Sequence, residues 1–223
     1  MDKLKYRFGI AEYKKLIIFF KKNNFKFKLF HENLNKGKNL ILRHDIDFCP
    51  FRALRLAREE KKLNVRSSYF FLLNTSFYNL NHYNTKCALL EIASLGHDIG
   101  LHFDAALYDS PKDLKKALLT EKKYLEKISK KKIKIISFHR PNKKIVSMDA
   151  KVIGGLAHTY MKKFIKNIKY CSDSQGTWRF DNPKDIVEKN NDKKNFTIHL
   201  LTHPIWWTTS AKLTPPEKIV FHL

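Results

Sequence analysis

Apolar positions along the chain follow two alternating rhythms. Over residues 10–22 they recur at helical spacing and predict an amphipathic helix. Residues 25–30 (FKFKLF) alternate as in a half-buried strand, whereas 39–45 (NLILRHD) and 67–73 (SSYFFLL) read as buried strands. Between these, 50–63 predict a helix with Pro50 in its first turn and Leu54, Leu56 and Ala57 on its apolar side. A further helix over 84–95 ends at Gly96, in the position that favours a left-handed cap. Residues 97–103 (HDIGLHF) form a short strand. Ser110 as N-cap, with Pro111 and Asp113 behind it, then opens a long helix to about Ser129. Strands follow at 133–138, 167–172 and 196–202. The less regular segment 145–165 is read as helical from His158 to Ile165, and a short helix runs from about Pro183 to Glu188.

Strands that alternate with helices predict an α/β fold with a mostly parallel sheet. The 223 residues suit a distorted or incomplete (β/α) barrel better than a full eightfold one of about 250 residues, with an open α/β sheet as the alternative. No linker, repeat or low-complexity block divides the chain. A single domain over 1–223 is expected, with the helix and strand of about 1–38 added to its core. The run Leu16-Ile17-Ile18-Phe19-Phe20 is too short for a membrane span or a signal core, which points to a cytoplasmic protein. Three cysteines without a C-x-x-C spacing speak against a disulfide framework or a thiolate zinc site.

The formal charge of +23 changes this picture little. The excess is mostly lysine spread over nearly every predicted helix, so it reads as a solvated basic surface. Such a surface can attract an anionic glycan or membrane at low salt. No aromatic-basic motif accompanies it, and no specific nucleic-acid partner is expected.

The chemistry lies where the predicted strands end. Asp45 and Asp47 end one strand, and residues two apart in an extended segment point the same way. Two adjacent carboxylates repel, so a cation or a shared proton must offset their proximity. A plain loop or helix cap would also place aspartates here. His102 and Asp104 end the next motif, Gly96-His97-Asp98-Ile99-Gly100-Leu101-His102. His102 reads as a neutral imidazole ligand for a divalent ion or as a hydrogen-bonded core histidine. Gly100 permits close backbone approach. Arg140, after His139, precedes Pro141, which favours an extended backbone there, and its guanidinium could orient a carboxylate. Asp173 could brace Arg140. Trp178 could stack on a sugar, and His203, beside Trp206 and Trp207, could protonate a leaving group. Core packing is the competing role for these tryptophans. No P-loop, G-x-G-x-x-G, H-E-x-x-H or G-x-S-x-G is present, which leaves kinase, Rossmann and serine-elbow chemistry unsupported.

Taken in order from about Leu40 to Trp207, these segments resemble the polysaccharide deacetylase superfamily, esterases that remove N-acetyl groups from sugars. Arg43-His44-Asp45-Ile46-Asp47 is similar to that family's paired-aspartate motif, which implies Asp45 as base and Asp47 as metal ligand. The Gly96–His102 run implies His102 as a second ligand. Arg140 and Pro141, Asp173 and Trp178, and Leu200 and His203 match the later motifs. The family's second metal histidine falls at Ala106, so Asp104, His139, His44 or water is left to complete the set.

The resemblance implies a metal-dependent hydrolase with an ion such as Zn²⁺ on Asp47, His102 and a further ligand, Asp104 among them. Asp45 would take a proton from water, His203 would protonate the departing amine, Arg140 would hold Asp45, and Asp173 would hold Arg140. Trp178 and Trp206 would meet the carbohydrate. The expected substrate is an acylated amino sugar or polysaccharide precursor made for a surface glycan. The rival readings are a decayed carbohydrate-binding relative, a metal-independent amide hydrolase and a basic nucleic-acid-associated protein.

Overall fold

The computed structural model describes residues 8–141, 155–166, 168–179, 181–207 and 212–220. Its strands are β1 (Lys26–Lys28), β2 (Lys38–Ile46), β3 (Ser68–Leu72), β4 (Asp98–Asp104), β5 (Ile135–His139), β6 (Ala157–His158), β7 (Lys169–Ser172) and β8 (Phe196–Thr202). Its helices are α1 (Ile10–Lys22), α2 (Pro50–Lys62), α3 (Tyr83–Ser94), α4 (Pro111–Ser129), α5 (Lys162–Ile165), α6 (Pro183–Glu188) and α7 (Pro215–Val220).

All strand pairs are parallel, in the order β6-β5-β4-β3-β2-β8-β7. β1 lies on the first half of one edge of β2, up to the pair Lys28↔Ile41, and β3 takes over that edge from Arg43↔Ser68. The sheet curls into a half-barrel flanked by helices, and β6 and β7 do not pair with each other among the described residues. This is the expected incomplete (β/α) barrel. No helix among the described residues is long and apolar enough to cross a membrane.

Strand alternation sorts the side chains. On β2, Leu40, Leu42 and Ile46 face the helices, whereas Ile41 joins Phe30, Phe70, Ile135, Met161 and Phe164 inside the half-barrel. One outer cluster holds α2, α3 and α4 against β3, β4 and β5 through residues such as Ala57, Leu89, Ile92, Leu101, Leu118 and Phe138. Each fully buried Leu, Ile or Phe of this kind stabilises the fold by about 1.5–3 kcal/mol. A second cluster seats α1 on β2 and β8 through Tyr13, Leu16, Ile17 and Phe20.

Two sequence signals act as their chemistry requires. Ser110 Oγ accepts the Asp113 N–H at 3.1 Å and caps α4. Gly96 ends α3 with φ +97°. Gly100 has a different reason to be glycine: a Cβ there would run into the Phe70 ring in the interior. His158 departs from its expected helix. It pairs in β6, and the helix starts only at Lys162, because the backbone of 157–158 is taken up by the edge of β5. The part of the 145–165 reading up to residue 154 lies outside the described residues.

Candidate active site

The carboxyl ends of the strands gather one constellation. β2 turns Arg43 and Asp45 to the interior by its two-residue repeat, and Asp47 follows in the turn after it. β4 brings His102, β5 brings Ser137 and His139, and the turns after β7 and β8 bring Asp173 and His203. In β4, β5 and β8 the helix side of the strand is buried and mostly apolar, which fixes the register and aims the alternate residue inward.

Asp45 is held by Arg43. The guanidinium donates from Nε to Oδ1 at 2.8 Å and from Nη2 to Oδ2 at 2.6 Å, and Ser137 Oγ donates to Oδ2 at 3.2 Å. Arg43 is 0% exposed, and its guanidinium also lies against the rings of Phe70 and Tyr160. Burial is the largest single influence on Asp45 and raises its pKa, but the charge and hydrogen bonds of Arg43 together with the neighbouring imidazoles outweigh it, and the carboxyl stays well below its usual range.

This corrects the expected brace. Arg140 does not reach Asp45; it donates to Asp104, from Nε at 3.1 Å and again from Nη2. Its backbone is also not extended, as Pro141 favours, but lies at φ +50°. The two hydrogen bonds to Asp104 accompany this turn, while 59% of the side chain stays exposed at the rim. Asp173, expected to hold Arg140, instead binds His203. Its carboxylate accepts the His203 backbone N–H at 3.0 Å, the Nδ1 hydrogen at 2.6 Å and the Trp207 Nε1 hydrogen at 2.7 Å. Burial pushes the His203 imidazole down, but the charge and hydrogen bond of Asp173 lift it to about 9. Its Nε2 lies 3.8 Å from Asp47 Oδ2.

Asp47, His102 and His139 form a cluster in which one ligand atom of each lies within 4.8 Å of the others. His102 Nε2 is 3.2 Å from Asp47 Oδ1, and His139 Nδ1 is 3.6 Å from the same oxygen. That oxygen is buried without a hydrogen-bond partner among the described residues. His102 Nδ1 faces the Ser137 carbonyl at 3.3 Å, which assigns the ring hydrogen to Nδ1 and turns the Nε2 lone pair toward Asp47. Two electron-rich atoms so placed call for a cation between them, and a two-histidine, one-carboxylate set fits a divalent ion. Burial, the largest influence, pushes the His139 imidazole down, toward the neutral form a ligand needs.

The third candidate donor is therefore His139, where Asp104 was expected. Asp104 is committed to Arg140 and to the Ala106 N–H at 3.2 Å. His44 points to the opposite side of β2, where it meets Glu60 Oε1 at 2.7 Å and Thr202 Oγ1 at 2.6 Å. Trp178 packs on Phe8 and Trp207, and Trp206 is buried beside Phe48 and Gly176. Both belong to the cluster under α1, not to an open stacking face.

Sequence reasoning missed the brace role of Arg43, although the alternation that pairs Asp45 with Asp47 also includes it. Ser137 carried no such signal, since a serine in an apolar strand has no distinctive pattern.

No protein-family model and no curated protein matches the chain. Among solved structures, peptidoglycan deacetylase PdaC from Bacillus subtilis matches with a TM-score of 0.50 at 17% identity, covering 86% of each chain. Deacetylase PplD from Streptococcus pyogenes, in complex with acetate, matches with a TM-score of 0.52 at 13% identity, covering 97% of this chain and 88% of that one. The half-barrel, with its strand-end carboxylates and histidines, thus has the fold of the polysaccharide deacetylases.

Proposed function

We propose that this chain hydrolyses an N-acyl group, most simply N-acetyl, on an amino sugar or polysaccharide precursor of a surface glycan. The observation that carries the reading is the arrangement around Asp47. An arginine-held carboxylate, Asp45, stands on one side, with Oδ2 3.7 Å from His102 Nε2, and an aspartate-held imidazole, His203, stands on the other. A base and an acid set apart in this way are what amide hydrolysis needs.

Asp47, His102 and His139 would hold the divalent ion. Zn²⁺ suits the donor set, and the ion would supply Lewis-acid polarisation of the acyl carbonyl and a more acidic water. Asp45, ionised at any working pH, receives the water proton; its tight hold on Arg43 fixes its aim at some cost in basicity. His203, kept protonated by Asp173, delivers a proton to the amine nitrogen as the C–N bond breaks. The products are a carboxylate and a free amine. A cytoplasmic location and a precursor substrate belong to the same proposal.

The test is acetate release from N-acetylated glycan oligomers by purified, zinc-loaded protein. His203→Gln should lower kcat by about 10²–10⁴-fold, the usual worth of a general acid, with zinc content unchanged. Turnover at the parent rate in that variant would end the assignment. Tight zinc binding with no acetate release from any acylated sugar would instead favour a decayed, binding-only relative.

A further inference from the structure

A second cleft lies at the other end of the half-barrel, where the strands begin. It measures about 1060 Å³ and is bounded by the loop after β1, residues 163–166 and 168–170, and the start of β8. That is at the upper end of ligand-site volumes, which run to about 1,000 Å³. None of the strand-end residues described above lines it.

Its wall is rich in donors. Lys163, Lys166, Lys169 and Lys193 line it, all exposed. Of the two acids present, Glu32 is already tied to Arg66 at 2.8 Å and to the Leu29 N–H, which leaves Asp181 alone against four ammonium groups. Two amides add to the excess. Asn33 Oδ1 accepts the Asn35 N–H and Asn195 Oδ1 accepts the Gly37 N–H, each at 2.8 Å. With the oxygens so used, each amide has its NH₂ group left to donate. A recessed cleft of one sign focuses its field on small anions.

We infer that this cleft is a second binding site, for an acidic oligosaccharide that carries carboxylates. Ammonium groups would pair with the carboxylates, and the amide NH₂ groups would donate to ring and hydroxyl oxygens. Nucleic acid fits less well. Phe30 and Phe164 in the floor are buried and Phe196 is only partly exposed, so the cleft lacks the open aromatic platform that single strands stack on. A membrane fits less well too, because the site is recessed and presents no protruding apolar side chain. The inference stands apart from the hydrolytic reading, since it concerns binding at a site without Asp45, Asp47 or His203.

The experiment is calorimetric titration of the full chain with trigalacturonate at low and moderate salt. Neutral chitotriose, a 12-residue oligothymidylate and phosphatidylglycerol vesicles are run beside it. One trigalacturonate should bind per chain, more weakly at higher salt. The double variant Lys163→Gln, Lys193→Gln should weaken binding at least tenfold, while His203→Gln leaves it unchanged. Either trigalacturonate that does not bind, or binding unaffected by the lysine changes, overturns the inference. So does a lysine variant that loses only oligothymidylate or vesicle binding.

Discussion

Arg43 and Asp45 depend on each other. Arg43 is wholly buried, and the carboxylate it holds is Asp45. Asp45→Asn should therefore do more than remove a base. It leaves a guanidinium in the interior without its counter-charge, a loss of about 3–5 kcal/mol for a broken buried pair. Chemical denaturation should show that loss, and the added change Arg43→Met should recover most of it. Turnover should stay absent in both variants, which separates the chemical role of Asp45 from its structural one. Glu121 on α4 shows the opposite sign of linkage. Burial raises its carboxyl to about 7, against partial relief from Tyr108 and Asn74. Because the folded pKa lies above the ordinary value, this group favours the native state fully below about 4.5. The advantage is lost as pH rises through about 7. Glu121→Gln should thus raise the melting temperature at pH 8 and leave it nearly unchanged at pH 4. A uniform shift at both values would show that the carboxyl titrates normally.

At the scale of elements, most of the architecture was legible because the longer strands and helices carried a periodicity, and several carried an end signal as well. α4 carried Ser110, Pro111 and Asp113 at its start, and the structure places Pro111 as its first residue. β6 was missed because a two-residue strand has no period to read and exists only through its pairing with β5. The site was partly legible for the same reason. Alternation along β2 aligns Asp45 with Asp47, but the choice of His139 over Asp104 depends on how β5 sits against β4, which local sequence does not encode. Partner choice among charges was the other gap. Arg140 and Asp173 were matched to each other on the basis of type, whereas space gives them to Asp104 and His203. β4 also yields a prediction. Gly100→Ala should push a methyl group into the Phe70 ring and cost about 1–3 kcal/mol, as overpacking does. Combining it with Phe70→Leu should restore part of the melting temperature. An unaltered melting temperature in the single variant would mean the interior has slack there.

For the molecule as a whole, an ion on Asp47, His102 and His139 would bridge β5, β4 and the turn after β2. Ion at about 1,000 times its Kd should stabilise the native state by about 4 kcal/mol, or about 8–16 °C in melting temperature for a chain of this size. His139→Ala should abolish most of that rise, whereas Asp104→Asn should keep it, as read by thermal scans with and without Zn²⁺. The sheet bears a further mark of this arrangement. β2 touches three other strands, with Arg43, Asp45 and Asp47 on one side and His44 committed to Glu60 and Thr202 on the other. Sliding that strand by a single residue would bury bare charges in the helical layer and drive an imidazole against the arginine's vacated niche. Greasy strands can misalign at little penalty, but this one cannot. The groups proposed to cut an amide thus also act as the key that admits only one alignment of the folded chain.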